Sequence, residues 1–132
     1  MVSGLVALLI GEATISAYVA SRVYVNKAPQ KAVLPYIIVT QMNSEEFKSF
    51  DNTGGLRMLT FDIDCKADRS LEASNVADAV RTFIQDYSGT AGSYTIGAVL
   101  LNSETHDFEP PQDGSDVGVH VVTLDLDIQY NP

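Results

Sequence analysis

Four aspartates stand in two pairs at a spacing of two, Asp62 with Asp64 and Asp125 with Asp127. Two carboxyls held in one pocket divide acid and base work, because burial and mutual repulsion move their pKa values apart. Each pair here lies inside a run of alternating character. Leu59, Phe61, Ile63 and Cys65 alternate with Thr60, Asp62, Asp64 and Lys66; Val122, Leu124, Leu126 and Ile128 alternate with Thr123, Asp125, Asp127 and Gln129. A period of two places the carboxyls on the wet face of a strand, where no pocket is implied. Aspartate is a poor strand former, so four of them on two strands require a reason. Keeping a sheet face wet and unattractive to other sheets, or to DNA, is one.

A second acidic group, Glu104, His106, Asp107 and Glu109 with Asp113 and Asp116, carries enough oxygen atoms to suggest a cation site. Its spacing does not match an EF-hand, and Pro110 and Pro111 divide it. The other histidine, His120, has no Ser, Cys or Asp in a recognisable catalytic order around it. The single cysteine, Cys65, cannot form an intramolecular disulfide, lacks the partners of a zinc site, and falls on the apolar side of its strand as a buried thiol. Glycines occur in turn contexts such as Thr53-Gly54-Gly55 and Asp113-Gly114, with no phosphate-binding or dinucleotide fingerprint. No catalytic, cofactor or metal site follows from these patterns, and the chain reads as a structural protein.

The elements that carry these residues follow from periodicity. Leu5, Leu8, Leu9, Glu12, Ile15 and Tyr18 keep a helical spacing, with Ser3 as a candidate N-cap and Gly11 bending or ending the first helix. The apolar run from Leu5 to Ile10 is too short to cross a bilayer, is interrupted by Glu12 and has no basic residue before it, so a core-facing helix is expected. Val23, Tyr24 and Val25 form a short extended piece, followed by an irregular stretch in which Pro29 and Pro35 discourage helix. Residues 36–41, with Ile37, Ile38 and Val39 consecutive, read as a strand covered on both faces. Val76, Ala77, Val80, Phe83, Ile84 and Tyr87 mark the most secure helix, capped by Ser70 or Asp68, with Glu72 near its start and Gly89 just past its end. Strands are expected at 94–102 and 119–130.

Two long polar connections remain, residues 43–55 and 103–118. In the first, Glu45 and Glu46 precede Phe47 and Phe50, two aromatics that either fold back onto the domain or await a partner. Loops of this length in a small domain are usually functional. Glu45, Glu46, Phe47 and Phe50 in one, and Asp107, Phe108, Glu109, Asp113 and Asp116 in the other, are the candidate contacts with neighbouring subunits or partners. The expected fold is α+β: an antiparallel sheet of about four strands, two helices packed on one face, and two long loops.

With 132 residues, of which 45% are hydrophobic and 19% charged, the chain can build one core and is expected to be one domain spanning residues 1–132. Seventeen acidic residues against eight basic ones give a formal net charge of -9. That balance excludes an ordinary DNA-binding module, whose affinity comes from Lys and Arg displacing counterions. It suits the wall of a passage through which DNA slides without adhering.

The order of these features resembles a family. An N-terminal helix, Arg22-Val23-Tyr24, a proline-containing stretch, Leu34-Pro35-Tyr36-Ile37-Ile38, the strand around Phe61-Asp62-Ile63, the helix around Asn75 to Ile84, and a closing strand around Val121 to Ile128 after Asp107-Phe108-Glu109 together resemble the tail completion or tail terminator proteins of long-tailed double-stranded DNA phages. The resemblance runs over nearly the whole chain and rests on order and length more than on any one motif. It implies a virion subunit with no cofactor and no catalysis. Such a subunit closes a homo-oligomeric ring, commonly a hexamer, at the head-proximal end of the tail tube, stops tube growth and joins it to the head-side connector protein. The resemblance further implies contact with the tail tube protein, genomic DNA passing through the lumen without specific binding, and no membrane. Another head-tail connector, such as a head-closure subunit, is the alternative within the structural class; a small metal-binding module is the alternative outside it.

Overall fold

The computed structural model describes residues 2–29, 31–47, 56–85, 87–92, 94–110 and 118–131. In chain order these form α1 (Val2–Gly11), α2 (Ala13–Val19), β1 (Val23–Val25), β2 (Tyr36–Phe47), β3 (Leu56–Ala67), α3 (Ser70–Ile84), β4 (Gly89–Ala91), β5 (Tyr94–Glu109) and β6 (Val119–Asn131). The six strands make one curled sheet in the order β1-β2-β3-β6-β5-β4, antiparallel throughout except that β1 runs parallel to β2. The expected α+β class holds, with six strands in a mixed sheet where four antiparallel ones were expected, and three helices where two were. Of the additional strands, β1 is the short extended piece expected at Val23–Val25, paired with β2, and β4 is three residues, too short for a periodic signal.

All three helices pack on one face. Phe61, Ile63, Cys65, Leu124, Leu126 and Ile128 from the central strands β3 and β6 are fully buried, in one cluster with Leu5 and Leu9 of α1, Ile15 and Val19 of α2, and Val76 and Val80 of α3. The N-terminal apolar run therefore faces the core, as its spacing predicts. No single described helix is long and apolar enough to cross a membrane, and α1 and α2 meet at an 89° bend. Gly11 ends α1, as expected.

Several local expectations need correction. Ser3 lies inside α1, which starts at Val2, so it is not the N-cap, and Tyr18 is 37% exposed instead of joining the apolar stripe. At α3 the N-cap position is Arg69, and no side chain caps it. The helix ends at Ile84 with Gln85 in an extended conformation as its cap, and Gly89 belongs to β4. Glu72 in the first turn and Arg81 in the last do complement the helix dipole.

The larger correction concerns the two long connections. β2 continues through Phe47 and β5 through Glu109, so residues 43–47 and 103–109 of the two supposed loops are strand. Each strand contains a slip in register, at Gln41/Asn43 in β2 and at Ile96/Ala98 and Leu101/Ser103 in β5. An extra residue reverses which side chains face the core, and this breaks the alternation that marks a strand.

Candidate functional site: the open sheet face and the two hairpin ends

Register fixes what lies on the face away from the helices. Along the central pair, Thr60 is opposite Asp127, Asp62 opposite Asp125, and Asp64 opposite Thr123. The Thr60 hydroxyl donates to Asp127 Oδ1 and the Thr123 hydroxyl to Asp64 Oδ1, each at 2.7 Å. Two of the four aspartates are thus held by a threonine across the strand, the kind of pair that stabilises a sheet face. The middle pair has like charges opposed. All four are half-buried on the face away from the helices.

The middle pair carries an electrostatic cost. Burial, helped by the charges of Asp125 and Asp64, raises the Asp62 carboxyl above its ordinary value. Oδ1 of Asp125 is buried and has no hydrogen-bond partner. A carboxyl raised in the folded state costs stability once ionised. That cost is absent while both states are protonated and grows as pH rises from the ordinary carboxylate range through the folded value. Asp62→Asn removes the repulsion and sets an amide donor opposite Asp125. It should stabilise the fold by about 0.5–1 kcal/mol near neutral pH. The gain should shrink toward zero below about pH 4, the ordinary aspartate value. Thermal unfolding of both proteins across this range checks it; a gain that persists at low pH would mean the effect is not charge relief.

The candidate contact residues fall into two groups at opposite ends of the sheet. Phe47 is opposite Leu56 at the end of the β2–β3 hairpin, where Glu45 and Glu46 pair with Met58 and Arg57. Glu109 is opposite Val119 and Phe108 opposite His120 at the end of the β5–β6 hairpin. The length of β3 separates these ends by roughly 35–40 Å. Phe50, Asp113 and Asp116 lie outside the described residues.

The acidic side chains of β5 divide between the two faces of the sheet. A strand sends alternate side chains to opposite faces, so Glu104, His106 and Phe108 share the helix side while Asp107 and Glu109 share the other. Glu104 is paired with Arg81 of α3 and with His106, the latter at 3.0 Å; Glu109 is paired with Lys66 at 3.0 Å. Among the described residues no group of three or more His, Cys, Asp and Glu is arranged to hold a metal ion.

Phe108 rests against His120 with ring centroids 4.8 Å apart, over Gly118. A Cβ at Gly118 would come within 2.5 Å of two atoms of that ring, so only glycine fits beneath it. A groove of about 310 Å3 between this corner and the start of α3 contains Ser70, His106 and His120. No serine hydroxyl bonds either imidazole among the described residues, so a nucleophile with its base is not assembled there. Cys65 is fully buried, and burial pushes its thiol well above its ordinary value, which suits a packing role.

Sequence reading placed the aspartates on the correct face, but it missed the Thr–Asp partners, the Phe108–His120 stack and the fit over Gly118. The Thr–Asp partners depend on register between strands distant in sequence and the Phe108 contacts on the register of the β5–β6 hairpin, and the only local sign was threonine recurring two residues from an aspartate in both runs.

Comparison with known proteins agrees with this arrangement of elements. No curated protein matches the chain. Its fold is similar to a chain in the virion of a native gene transfer agent particle, with a TM-score of 0.68 over 99% of this chain and 93% of that one, at 14% identity. The family model described as tail completion protein gp17 matches residues 3–130. The chain accordingly belongs to the tail completion protein gp17 family and is a structural protein of the phage virion tail.

Proposed function

We infer that the protein closes a homo-oligomeric ring, a hexamer in the arrangement the family suggests, at the head-proximal end of the tail tube. There it stops tube growth and joins the tube to the head-side connector. In this reading residues 1–132 act as one domain, with no catalytic step and no cofactor. The observation that carries it is the placement of the two hairpins, at the 47/56 and 109/119 ends of one stiff sheet. A subunit bridging two assemblies needs contact surfaces that point opposite ways. Glu45, Glu46, Phe47 and Phe50 serve one end, and Asp107, Phe108, Glu109, Asp113 and Asp116 the other.

The open face adds support. Its row of Asp62, Asp64, Asp125 and Asp127 suits a lumen wall, because like charge keeps DNA sliding instead of adhering.

Particles assembled without this protein provide the test. Overlong tubes in negative-stain images are the expected result. Normal free tails with leaking heads would replace this reading with a head-closure connector. Normal particles in every respect would remove both.

A further inference from the structure

Charge along this chain is segregated, and the topology turns that segregation into geometry. Residues 13–44 contain Arg22, Lys27 and Lys31 and no acid, whereas residues 82–132 contain eight acids and no Lys or Arg. The first segment supplies β1, the return connection to β2 and the start of β2. The second supplies β4, β5 and β6. In the order β1-β2-β3-β6-β5-β4, the basic segment begins at one edge of the sheet, whereas the acidic segment runs from the other edge, β4 and β5, inward to β6.

Both edges are incomplete. β4 covers β5 only through Tyr94, Thr95 and Ile96, so residues 97–109 have backbone donors and acceptors along an open side. β1 likewise covers β2 only at Ile37, Ile38 and Val39, and Lys27 and Lys31 are exposed just beyond it. Each edge also exposes apolar side chains: Val25 (44%) and Val33 (64%) on the basic side, Leu100 (51%) and Phe108 (48%) on the acidic side. Within the subunit Glu104 and Glu109 already have cations, whereas among the described residues Asp107 meets no cation and Lys27 and Lys31 meet no acid.

The geometry points to a second copy of this chain as the occupant of the open β5 edge, seated by its β1 side so that Lys27 and Lys31 face Asp107 and its neighbours. Pairing two β5 edges about a two-fold axis would set acid against acid, and pairing two β1 sides would set lysine against lysine. Joining unlike edges brings opposite charges together and covers apolar surface on both partners. Because the contact joins two unlike edges, it repeats from copy to copy and closes when the rotation allows. This inference rests on the ring reading above and names the surface that would form it.

Charge exchange tests it. One variant carries Lys27→Glu and Lys31→Glu; the other carries Thr105→Lys and Asp107→Lys. All four positions are exposed and outside the core. Sedimentation velocity would follow wild type, each variant alone, and an equimolar mixture, at about 0.05 M and about 0.5 M salt, where screening lengths differ severalfold. Each variant alone should associate roughly tenfold or more weakly than wild type at low salt. The mixture should recover assembly, because alternating copies restore unlike charge at every junction. Either variant assembling like wild type overturns the proposal. So does a mixture that fails to recover while both variants keep wild-type circular dichroism and melting temperature. Should only the β5 variant lose association, its edge takes a different partner and the assignment of β1 falls. Those results leave the ring reading standing. A wild type that forms no ring at low salt or on tail tubes removes both.

Discussion

Phe61→Ala should cost about 3–5 kcal/mol of folding stability, the usual range for deleting a fully buried phenylalanine. The ring sits on the third of the six ordered strands, opposite Leu126 and fully buried in the cluster that joins both central strands to the helices. Its loss leaves a cavity that fixed strands on either side cannot close. For a domain of this size the melting temperature should fall by about 15 °C. Urea unfolding followed by circular dichroism should show the midpoint shifting with an unchanged slope, which separates lost stability from a changed unfolded state. A shift under about 1 kcal/mol would mean the helices can settle onto the sheet, and the account of a rigid central pair would be wrong.

The next largest effect is expected at Gly4. Glycine inside a helix costs about 1 kcal/mol relative to alanine, so a glycine in the first turn of α1 requires a reason. The reason is contact: a Cβ there would stand 2.7 Å from the carbonyl carbon of Ala91 and 2.8 Å from its oxygen, both backbone atoms of β4. Backbone cannot swing aside as a side chain can. Gly4→Val should therefore push α1 off the β4 edge and cost about 2–3 kcal/mol, the upper part of the overpacking range. Hydrogen exchange offers the discriminating measurement. Protection should drop in α1 and in residues 89–91 before it drops in β3 and β6, and uniform loss would contradict a local wedge.

Much of the fold was legible in the sequence, and its failures have one physical cause. The uninterrupted alternation in β3 and β6 marked those strands and their faces, and the 3.6-residue stripe marked α3. The strand reading of 36–41 stopped at the residue before the extra one, Met42, and the reading of 94–102 stopped on an extra one, Asn102. Past each slip the strand continues with its alternation inverted, and an inverted pattern rich in acids reads as loop. Val23–Val25 was legible as extended but not as a sheet strand, and β4 was too short to show a period. At the candidate site, the facing of Asp62 followed from its own strand, while its opposition to Asp125 needed the register between strands 63 positions apart. The missing N-cap at α3 is a different case: Asp68 and Ser70 were chemically suitable, but Arg69 occupies the position between them.

The register slips have a consequence for how relatives of this protein can diverge. Every slip lies in β2 or β5, while β3 and β6 pair without interruption and act as a ruler. Losing the extra residue Asn102 would leave Asp107 opposite Val121 and Phe108 opposite His120, on the faces they now occupy, and would only make the alternation of β5 continuous. Insertions and deletions at positions 42, 97 and 102 are therefore absorbed as bulges gained or lost, while the strand arms beyond keep their faces. Homologues should tolerate a one-residue change of length at these three positions better than within β3 or β6, where two neighbouring strands would lose register at once.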